Sequence, residues 1–240
     1  MHSKIDVDQE WLGRWRNYFL SYYDEARVDE KVCEVIEFVE KYVDNSLVAV
    51  SGGKDSMTML HIIYSNVSNE IMVFHWDHGS YLMPRWIENE IVKNIFKVAP
   101  KARILVKKYS FGEHPLSRID WRPWYRAFYG VLDKLTRRYS IKYHLIGIRA
   151  EESSSRRTRG RVVKRGNWAE VYPIYNFTWR DVWSYIFKHN VPVPRIYFVY
   201  AKLLGWERVR LTTFHDQEFM KYGSPNIDSY LLWREKNQPT

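Results

Sequence analysis

The stretch Ser51-Gly52-Gly53-Lys54-Asp55-Ser56 follows the apolar run 47–50 and precedes a segment with a helical pattern. Two adjacent glycines let the backbone turn sharply and come close to a ligand. The N-terminus of the next helix directs N–H groups that lack intrahelical acceptors, and the positive end of the helix dipole, to the same place. The stretch therefore predicts a phosphate-binding turn between a strand and a helix, in which Ser51 and Ser56 add hydroxyl donors.

This turn differs from a P-loop of the Gly-x-x-x-x-Gly-Lys-Ser/Thr type. Position 48 is Val where that pattern needs its first glycine, and Asp55 follows the lysine. Lys54 can contribute charge, although neighbouring side chains diverge and it points either at the ligand or away from it. Asp55 suits an anion site only if it caps a backbone donor or holds a divalent cation carried in by a nucleotide. A glycine-rich turn without a ligand is the alternative interpretation.

Strand and helix patterns alternate along residues 47–148. The apolar runs predict strands at 47–50, 71–76, 103–106 and 143–148, and helical spacing of apolar residues predicts helices at 28–43, 87–95 and 124–135, with room for one more after residue 50. This alternation implies right-handed crossovers and a parallel sheet with helices on both faces. The predicted fold class is α/β, a Rossmann-like doubly wound parallel sheet. Ligands of such sheets bind beyond the carboxyl ends of strands, here after Val50, Trp76 and Ile148.

The segments on either side of this region differ in composition, and we divide the chain into three parts. Residues 1–27 are predicted as an N-terminal aromatic helical extension, residues 28–200 as the α/β domain, and residues 201–240 as a C-terminal extension. The spacing of the aromatic residues in the first part predicts a helix packed on the core: Trp11, Trp15, Tyr18, Phe19, Tyr22 and Tyr23.

Two patterns inside the domain predict local structure. Residues 156–165 hold six cations and little to bury, which predicts an exposed basic loop that either closes over a polyanion or is only solvated. Thr178 and Asp181 predict a capping box that starts a helix. The apolar face of this helix includes Trp179 and Trp183, which we expect to pack in the core rather than against a base.

The composition favours a soluble protein with anionic partners. An apolar fraction of 45% over 240 residues can fill a sizeable core, and a net charge of +9 favours nucleotides or nucleic acid. Cys33 is the single cysteine, which rules out an intrachain disulfide and predicts a buried, inert thiol. No apolar run approaches the roughly 20 residues that span a bilayer, and the start lacks a signal-peptide core. We therefore expect a cytoplasmic protein that does not bind a membrane.

Three segments, in this order, resemble a known family. Residues 51–56 resemble the pyrophosphate loop of the adenine nucleotide α-hydrolase superfamily. Residues 147–156 resemble the Gly-x-Arg-x-x-Glu-Ser-x-x-Arg signature of phosphoadenosine phosphosulfate (PAPS) reductases. Residues 173–186 resemble the segment of that family that ends in Asp-Val-Trp-x-x-Ile, which is also found in the small subunit of ATP sulfurylase. The resemblance implies an adenine nucleotide α-hydrolase-like fold that binds ATP or a related adenine nucleotide, with Mg²⁺ accompanying the phosphates.

The resemblance also implies roles for individual residues. Arg149 and Arg156 would neutralise charge on the nucleotide or its acceptor, and they form the predicted catalytic set together with Lys54 and Asp55. Arg149 could instead form a structural pair with Glu151 or Glu152. The predicted nucleotide-binding residues are Ser51, Gly52, Gly53, Ser56, Asp77, Glu152, Ser153 and Arg157.

The positions of Glu152, Ser153 and Asp77 in the sequence support further predictions about them. Glu152 and Ser153 could cap the helix that follows and so fix the loop that carries the arginines. Asp77 stands where the family has Asp-Thr-Gly, near the nucleotide. His75 and His78 flank it, and without further ligands nearby in sequence we interpret them as structural rather than metal-binding.

The chain departs from the family in its cysteines. PAPS reductases use a cysteine near the C-terminus as the sulfur nucleophile, whereas no cysteine follows residue 33 here. PAPS reduction and an iron–sulfur cluster are therefore not expected. The leading hypothesis is ATP pyrophosphatase or adenylyl-transfer chemistry at the α-phosphate, with a sulfate-like or nucleic-acid acceptor. The alternatives are a non-catalytic nucleotide or nucleic-acid binding module, and a subunit of a sulfur-transfer complex with a thiol-bearing partner. A homo-oligomer is compatible with each of them.

Overall fold

The computed structural model describes residues 7–79, 83–108 and 121–211, without the side chains of residues 121–125. The α-helices in these ranges are α1 (Gln9–Glu25), α2 (Val28–Val39), α3 (Lys54–Asn66), α4 (Arg85–Val98), α5 (Trp121–Arg138), α6 (Ser154–Arg157), α7 (Trp179–His189) and α8 (Ile196–Leu204), and Ala150–Glu152 form a short 3-10 helix. The strands are β1 (Ser46–Ala49), β2 (Met72–Asp77), β3 (Arg103–Lys108), β4 (Tyr143–Ile146), β5 (Val162–Arg165) and β6 (Trp168–Val171).

The described strands form one sheet in the order β3-β2-β1-β4-β6-β5. All neighbouring pairs are parallel except β5 and β6. From β1 the chain builds outward through β2 and β3, and then crosses back to place β4 on the other side of β1. This reversal confirms the predicted doubly wound sheet and puts its topological switch point between β1 and β4, where such sheets bind ligands.

The prediction that residues 156–165 form a loop was wrong at both ends. Residues 154–157 form α6, and residues 162–165 form β5, which pairs antiparallel with β6 at the edge of the sheet. The adjacent valines Val162 and Val163 favour an extended backbone, and Gly166 with φ 62° permits the tight turn to β6. The cations are compatible with this strand because charged side chains are common on sheet edges, where they discourage pairing with another chain.

The two faces of the sheet are covered by different helices. Alternate residues of each strand point to opposite faces. On one face, Val48, Val73 and Leu145 join the larger core, to which α1, α2, α3, α4, α7 and α8 contribute. On the other face, Leu47 and Phe74 pack with side chains of α5 in a smaller core. This arrangement leaves α5 as the described helix that covers the second face.

The aromatic residues of the N-terminal segment pack on the core as predicted, except Tyr18, which is exposed. Phe19 and Tyr23 of α1 are fully buried, and the Phe19 ring stacks on Phe187 of α7 at a centroid distance of 5.4 Å. Trp183 is also fully buried, and its indole N–H donates to the Trp206 carbonyl at 3.1 Å. These contacts confirm core packing for the tryptophan segment. The three-part division of the chain stays a prediction, and residues 212–240 lie outside the described ranges.

Two other expectations concern the surface of the protein. Cys33 is exposed on α2, so the prediction of a buried thiol was wrong. The apolar stripe of α2 runs through Val28, Val32, Val35 and Val39, and position 33 lies outside it. Across the described ranges, no helix is both long enough and apolar enough to cross a membrane.

The predicted capping box at the start of α7 is present and forms part of a larger buried cluster. Thr178 accepts from the Asp181 N–H at 3.2 Å, and Asp181 accepts from the Thr178 N–H at 2.7 Å. Asp181 is fully buried and also accepts from Lys31 Nζ of α2 at 2.8 Å and from the Tyr22 hydroxyl of α1 at 3.2 Å. One carboxylate therefore ties α1 and α2 to the start of α7.

We expect Asp181→Ala to lower the free energy of unfolding by about 3 kcal/mol, because it removes a helix cap and leaves buried donors unpaired. Urea unfolding followed by circular dichroism measures the loss. Asp24→Ala is the matched control, since Asp24 pairs with Lys188 at 3.0 Å on the surface. Exposed pairs contribute about 1 kcal/mol or less. Equal losses for the two variants would contradict this account of Asp181.

Candidate nucleotide site

The turn after β1 has the backbone that its glycines predict. Val50 extends the strand, because its N–H donates to the Phe74 carbonyl at 2.8 Å. Gly52 has φ 80°, and a Cβ at this position would overlap the side chain of Ile91 on α4. Gly53 is the N-cap of α3. The turn thus needs glycine at position 52 for both conformation and space.

The hydroxyl groups of the turn bond to one another. Ser56 Oγ donates to the Gly53 carbonyl at 3.0 Å, so Ser51 Oγ is the donor in its 3.1 Å contact with Ser56 Oγ. The Lys54 N–H, at the first position of α3, donates to the hydroxyl of Tyr197 at 3.0 Å. The sequence offered no signal for Tyr197, which reaches the turn from α8. These hydroxyl and N–H groups therefore lie together at the N-terminus of α3, where a phosphate could replace their present acceptors.

Gly147 lets the end of β4 lie directly against the first turn of α3. A Cβ on Gly147 would come within 2.9 Å of both the N and the Cα of Ser56, closer than real Cβ atoms approach backbone. Backbone packing therefore holds β4 against α3 at the switch point of the sheet, and the chain that leaves β4 starts beside the phosphate-binding turn.

Three charged side chains connect the same two elements. Asp55 accepts from Lys54 Nζ at 2.8 Å and from Arg149 Nε at 2.5 Å, and Arg149 donates a second hydrogen bond to Glu151 at 2.7 Å. The side chains of Lys54 and Arg149 are 1% and 3% exposed. Asp55 thus bridges two buried cations, one from α3 and one from the loop after β4.

The pKa shifts follow from this packing. Burial alone would raise the pKa of Asp55, but the charges of Arg149 and Lys54 outweigh burial and hold it below its usual value. Burial lowers the pKa of Lys54 against the opposing attraction of Asp55. For Arg149, the attraction of Asp55 and Glu152 exceeds the effect of burial and raises the pKa. Asp55 is therefore a permanent carboxylate and is unsuited to accept a proton in a reaction.

Glu152 gathers arginines from three parts of the chain. Its carboxylate lies 3.9 Å from Arg149 and 3.5 Å from Arg210, and it forms a close ion pair with Arg156. Ser153 caps α6 by accepting from the Arg156 N–H at 3.2 Å, which confirms the capping alternative for Ser153. No sequence pattern indicated a role for Arg210, because it lies 54 positions beyond Arg156 and only the fold brings the two together.

Asp77 stands at the end of β2, as its position in the sequence predicts, and its carboxylate has partners there. It accepts from both terminal nitrogens of Arg85, at 2.8 and 2.9 Å, and from the Gly79 N–H at 2.7 Å. Burial opposes the ionised form, but these donors keep the pKa of Asp77 below its usual value. Trp76 and His78, its neighbours in sequence, line the adjacent cavity.

His75 is structural, as interpreted from the sequence. Its Nδ1 lies 2.7 Å from the Val50 carbonyl and its Nε2 lies 2.6 Å from Glu88, with both side chains 1% exposed. A carbonyl can only accept, so Nδ1 carries a proton and the second proton is shared with Glu88. The pair holds the carbonyl that precedes Ser51. Within the described ranges, no group of three or more His, Cys, Asp or Glu residues could hold a metal ion.

One cavity of about 420 Å³ opens at the switch point, and its two ends differ in chemistry. Its polar end consists of the turn and the arginine cluster: Ser51, Gly53, Lys54, Asp55, Ser56, Glu152, Arg156 and Arg210. Its other end is largely aromatic: Phe74, Trp76, Phe128, Tyr129, His144 and Trp168, with Leu132 and Glu170. This volume lies in the range of small-molecule sites.

Most of the predicted site residues meet at this cavity. Seven of them line it: Ser51, Gly53, Lys54, Asp55, Ser56, Glu152 and Arg156. The other five do not: Gly52, Asp77, Arg149, Ser153 and Arg157. Arg149 adopts the alternative arrangement considered for it, a structural pair, although its main partner is Asp55 rather than Glu151 or Glu152 alone.

A comparison of the sequence with families of known proteins gives a match over most of the chain. The family described as the phosphoadenosine phosphosulfate reductase domain matches residues 45–207. An adenosine 5'-phosphosulfate reductase from Bacillus cereus is 20% identical over 206 residues, which cover 82% of this chain and 86% of that protein.

Solved structures share the fold at lower sequence identity. A PAPS reductase from Candida auris, determined as a phosphate complex, superposes with a TM-score of 0.51 at 15% identity, over 80% of this chain and 92% of that one. An FMN adenylyltransferase from Candida glabrata, in complex with FMN and an ATP analogue, superposes with a TM-score of 0.50 at 12% identity, over 72% of this chain. The present chain spans 61% of that enzyme.

We expect Gly147→Ala to lower the free energy of unfolding by about 1–3 kcal/mol, because its methyl group overlaps the backbone of Ser56. Gly130→Ala is the matched control: a Cβ on this glycine of α5 meets nothing within 4 Å. The control is expected to gain up to about 1 kcal/mol from helix propensity. Urea unfolding measures both. A Gly147→Ala protein as stable as the wild type would contradict the close packing of β4 on α3.

Proposed function

The chain belongs to the phosphoadenosine phosphosulfate reductase domain family, and on that basis we propose that it binds ATP and catalyses a reaction at the α-phosphate. In this reaction an acceptor oxygen displaces pyrophosphate. The product is an adenylylated acceptor, or AMP when the acceptor is water.

The proposal rests on the cavity at the switch point. Its polar end places the N-terminus of α3 and the hydroxyls of Ser51 and Ser56 beside Arg156 and Arg210. Its aromatic end suits a planar base. A single cavity with these two ends fits one molecule that has a polyanionic end and a planar end, which is the chemistry of a nucleotide.

In the proposed step, the acceptor oxygen forms a bond to the α-phosphorus while the bond from that phosphorus to the bridging oxygen breaks. Pyrophosphate leaves with the electron pair. An anionic acceptor needs no general base, and a hydroxyl acceptor releases its proton to solvent. The N–H groups at the start of α3 and the hydroxyl of Ser51 stabilise the negative charge that grows on pyrophosphate.

The ion-pair network divides the charged residues into two roles. Arg156 and Arg210 line the cavity and supply positive charge to the phosphates or the acceptor. Lys54, Asp55 and Arg149 pair with one another, with Glu151 balancing the remaining charge of Arg149, and they act as positioning residues that hold the turn in shape. This assignment changes the role predicted for Arg149 from a phosphate ligand to a support of the turn.

Mg²⁺ belongs to the proposal as part of the substrate, MgATP. The described carboxylates nearest the turn are already paired with cations, Asp55 with Lys54 and Arg149, and Glu152 with its arginines. They offer the ion no carboxylate free of a cation, and the phosphates of the nucleotide supply its ligands. The ion would lower the charge on the leaving pyrophosphate.

Reduction of a sulfonucleotide by the chain alone is disfavoured by the position of its thiol. Cys33 is the single cysteine among the 240 residues, and it is exposed on α2 rather than lining the cavity. A thiol that attacks a sulfonate must reach the reacting sulfur. A sulfur-transfer reaction would therefore need a thiol from a partner protein. The acceptor, whether sulfate-like or nucleic acid, stays a prediction from the sequence.

The test is an assay with α-labelled ATP and Mg²⁺, alone and with sulfate or RNA. We expect labelled AMP or an adenylylated product from the wild type, and a loss of about tenfold or more in Ser51→Ala/Ser56→Ala, which lacks the hydroxyls. Ser68→Ala is the control, because the Ser68 hydroxyl accepts from the Glu70 N–H, outside the cavity. Asp55 is left intact, since its loss would remove the carboxylate paired with buried Lys54 and one of those paired with Arg149.

The outcomes separate the candidate functions. A labelled product that depends on the two hydroxyls supports the enzyme. Binding of ATP without any labelled product, measured by calorimetry, supports a non-catalytic nucleotide-binding module instead. Absence of both product and binding would reject the proposed function.

A further inference from the structure

The aromatic end of the cavity lies on the face of the sheet that α5 covers. We call it the aromatic chamber and define it by Phe74, Trp76, Phe128, His144, Trp168 and Glu170. Phe74 and Trp76 are two positions apart on β2, so their side chains point to the same face of the sheet. His144 of β4 pairs in register with Glu170 of the neighbouring strand β6. The chamber therefore spans the sheet from β2 to β6, and its walls are rings, with two polar side chains among them.

The hydrogen bonds of His144 fix its tautomer. The Thr136 hydroxyl donates its single proton to the Leu132 carbonyl at 2.8 Å. In the 2.9 Å contact with His144 Nε2, the hydroxyl oxygen must therefore accept, so Nε2 carries the proton of the ring. Burial lowers the pKa of His144 to about 4, which keeps the ring neutral at pH 7. Its Nδ1 is then an unprotonated acceptor.

Glu170 contributes a second acceptor. Its Oε2 accepts from the Tyr172 hydroxyl at 2.5 Å and from Arg165 at 3.0 Å. Both of these hydrogen bonds go to the same oxygen, which leaves Oε1 for a ligand. Arg165 balances the charge of the carboxylate, while Glu170 itself lines the cavity.

The ring of Trp168 lies beside these acceptors. Its centroid is 4.3 Å from that of His144. A ligand in the chamber thus meets flat apolar surfaces and acceptor atoms at its edge. This combination suits a planar heterocycle that carries N–H donors, and it disfavours one that presents acceptors at the same edge, because two lone pairs would face each other.

We propose that the aromatic chamber binds the base of the nucleotide whose phosphates occupy the turn, and that Glu170 selects bases with an exocyclic amino group. The inference rests on the proposed function, because it assigns the second end of the same cavity. It goes further by naming the residue that determines specificity. Adenine fits through its 6-amino group.

The experiment measures the affinities of three ligands by calorimetry: ATP, purine riboside triphosphate, which lacks the 6-amino group, and tripolyphosphate, which lacks the nucleoside. We expect the wild type to bind ATP about tenfold or more tightly than purine riboside triphosphate, the effect of one hydrogen bond to a charged group. N6,N6-dimethyl-ATP, which has no N–H donor at this position, is expected to bind as weakly as purine riboside triphosphate or more weakly.

The variant is Glu170→Gln, which keeps an oxygen for Arg165 and Tyr172 and replaces the second oxygen with an NH₂ donor. We expect its preference for ATP over purine riboside triphosphate to disappear, while its affinity for tripolyphosphate stays that of the wild type. Unchanged tripolyphosphate binding also shows that the variant is folded. Asp133→Asn is the matched control, since it makes the same change of charge at an exposed residue of α5 outside the cavity.

Three results would contradict the selection by Glu170 or the proposed function, and they can be distinguished from one another. Equal affinities of the wild type for ATP and purine riboside triphosphate would overturn the selection by Glu170 without any use of a variant. An unchanged preference in Glu170→Gln would do the same. Failure of the wild type to bind either ATP or tripolyphosphate would overturn the proposed function and this inference with it.

Discussion

The structure depends on one carboxylate that bridges two buried cations. Asp55 lies between Lys54, next to it in sequence, and Arg149, from the far side of the switch point. Neither cation is accessible to solvent, so the loss of Asp55 would leave Lys54 uncompensated and Arg149 with only its pairs to Glu151 and Glu152, at a cost of about 3–5 kcal/mol. The ion pair between Asp55 and Arg149 also joins the start of α3 to the loop after β4. The position of the turn is therefore fixed by electrostatics as well as by its glycines.

This constraint explains why basic and acidic residues crowd a site meant for an anion. The charged groups of the network pair with one another, and the turn offers N–H and hydroxyl groups to a ligand. Gly147 allows the backbone at the end of β4 to touch the backbone of α3. Arg156 and Arg210 then provide the charge that faces the cavity. The backbone of the turn is in place before a ligand arrives, and the hydroxyls of Ser51 and Ser56 and the Lys54 N–H exchange their internal hydrogen bonds for bonds to the phosphates.

Much of the fold could be predicted from the sequence, and the site only in part. Apolar runs and the double glycine identified the first strands, the turn and the sheet class, because these depend on local periodicity. The edge strand β5 was not predicted, because the cations around its two valines, Val162 and Val163, indicated an exposed loop. Arg210, Glu170 and Tyr197 became visible only through contacts distant in sequence. Arg149 resembled a phosphate ligand because its pairing with Asp55 spans 94 positions, which no local pattern records.

The most direct test of this account is a crystal structure with a non-hydrolysable ATP analogue and Mg²⁺. The account predicts the β- and γ-phosphates at the N-terminus of α3, within hydrogen-bond distance of the hydroxyls of Ser51 and Ser56. It also predicts that Arg149 remains paired with Asp55. Phosphates bound elsewhere, or an Arg149 side chain that leaves Asp55 to bind them, would contradict the claim that the ion-pair network supports the turn and takes no part in binding.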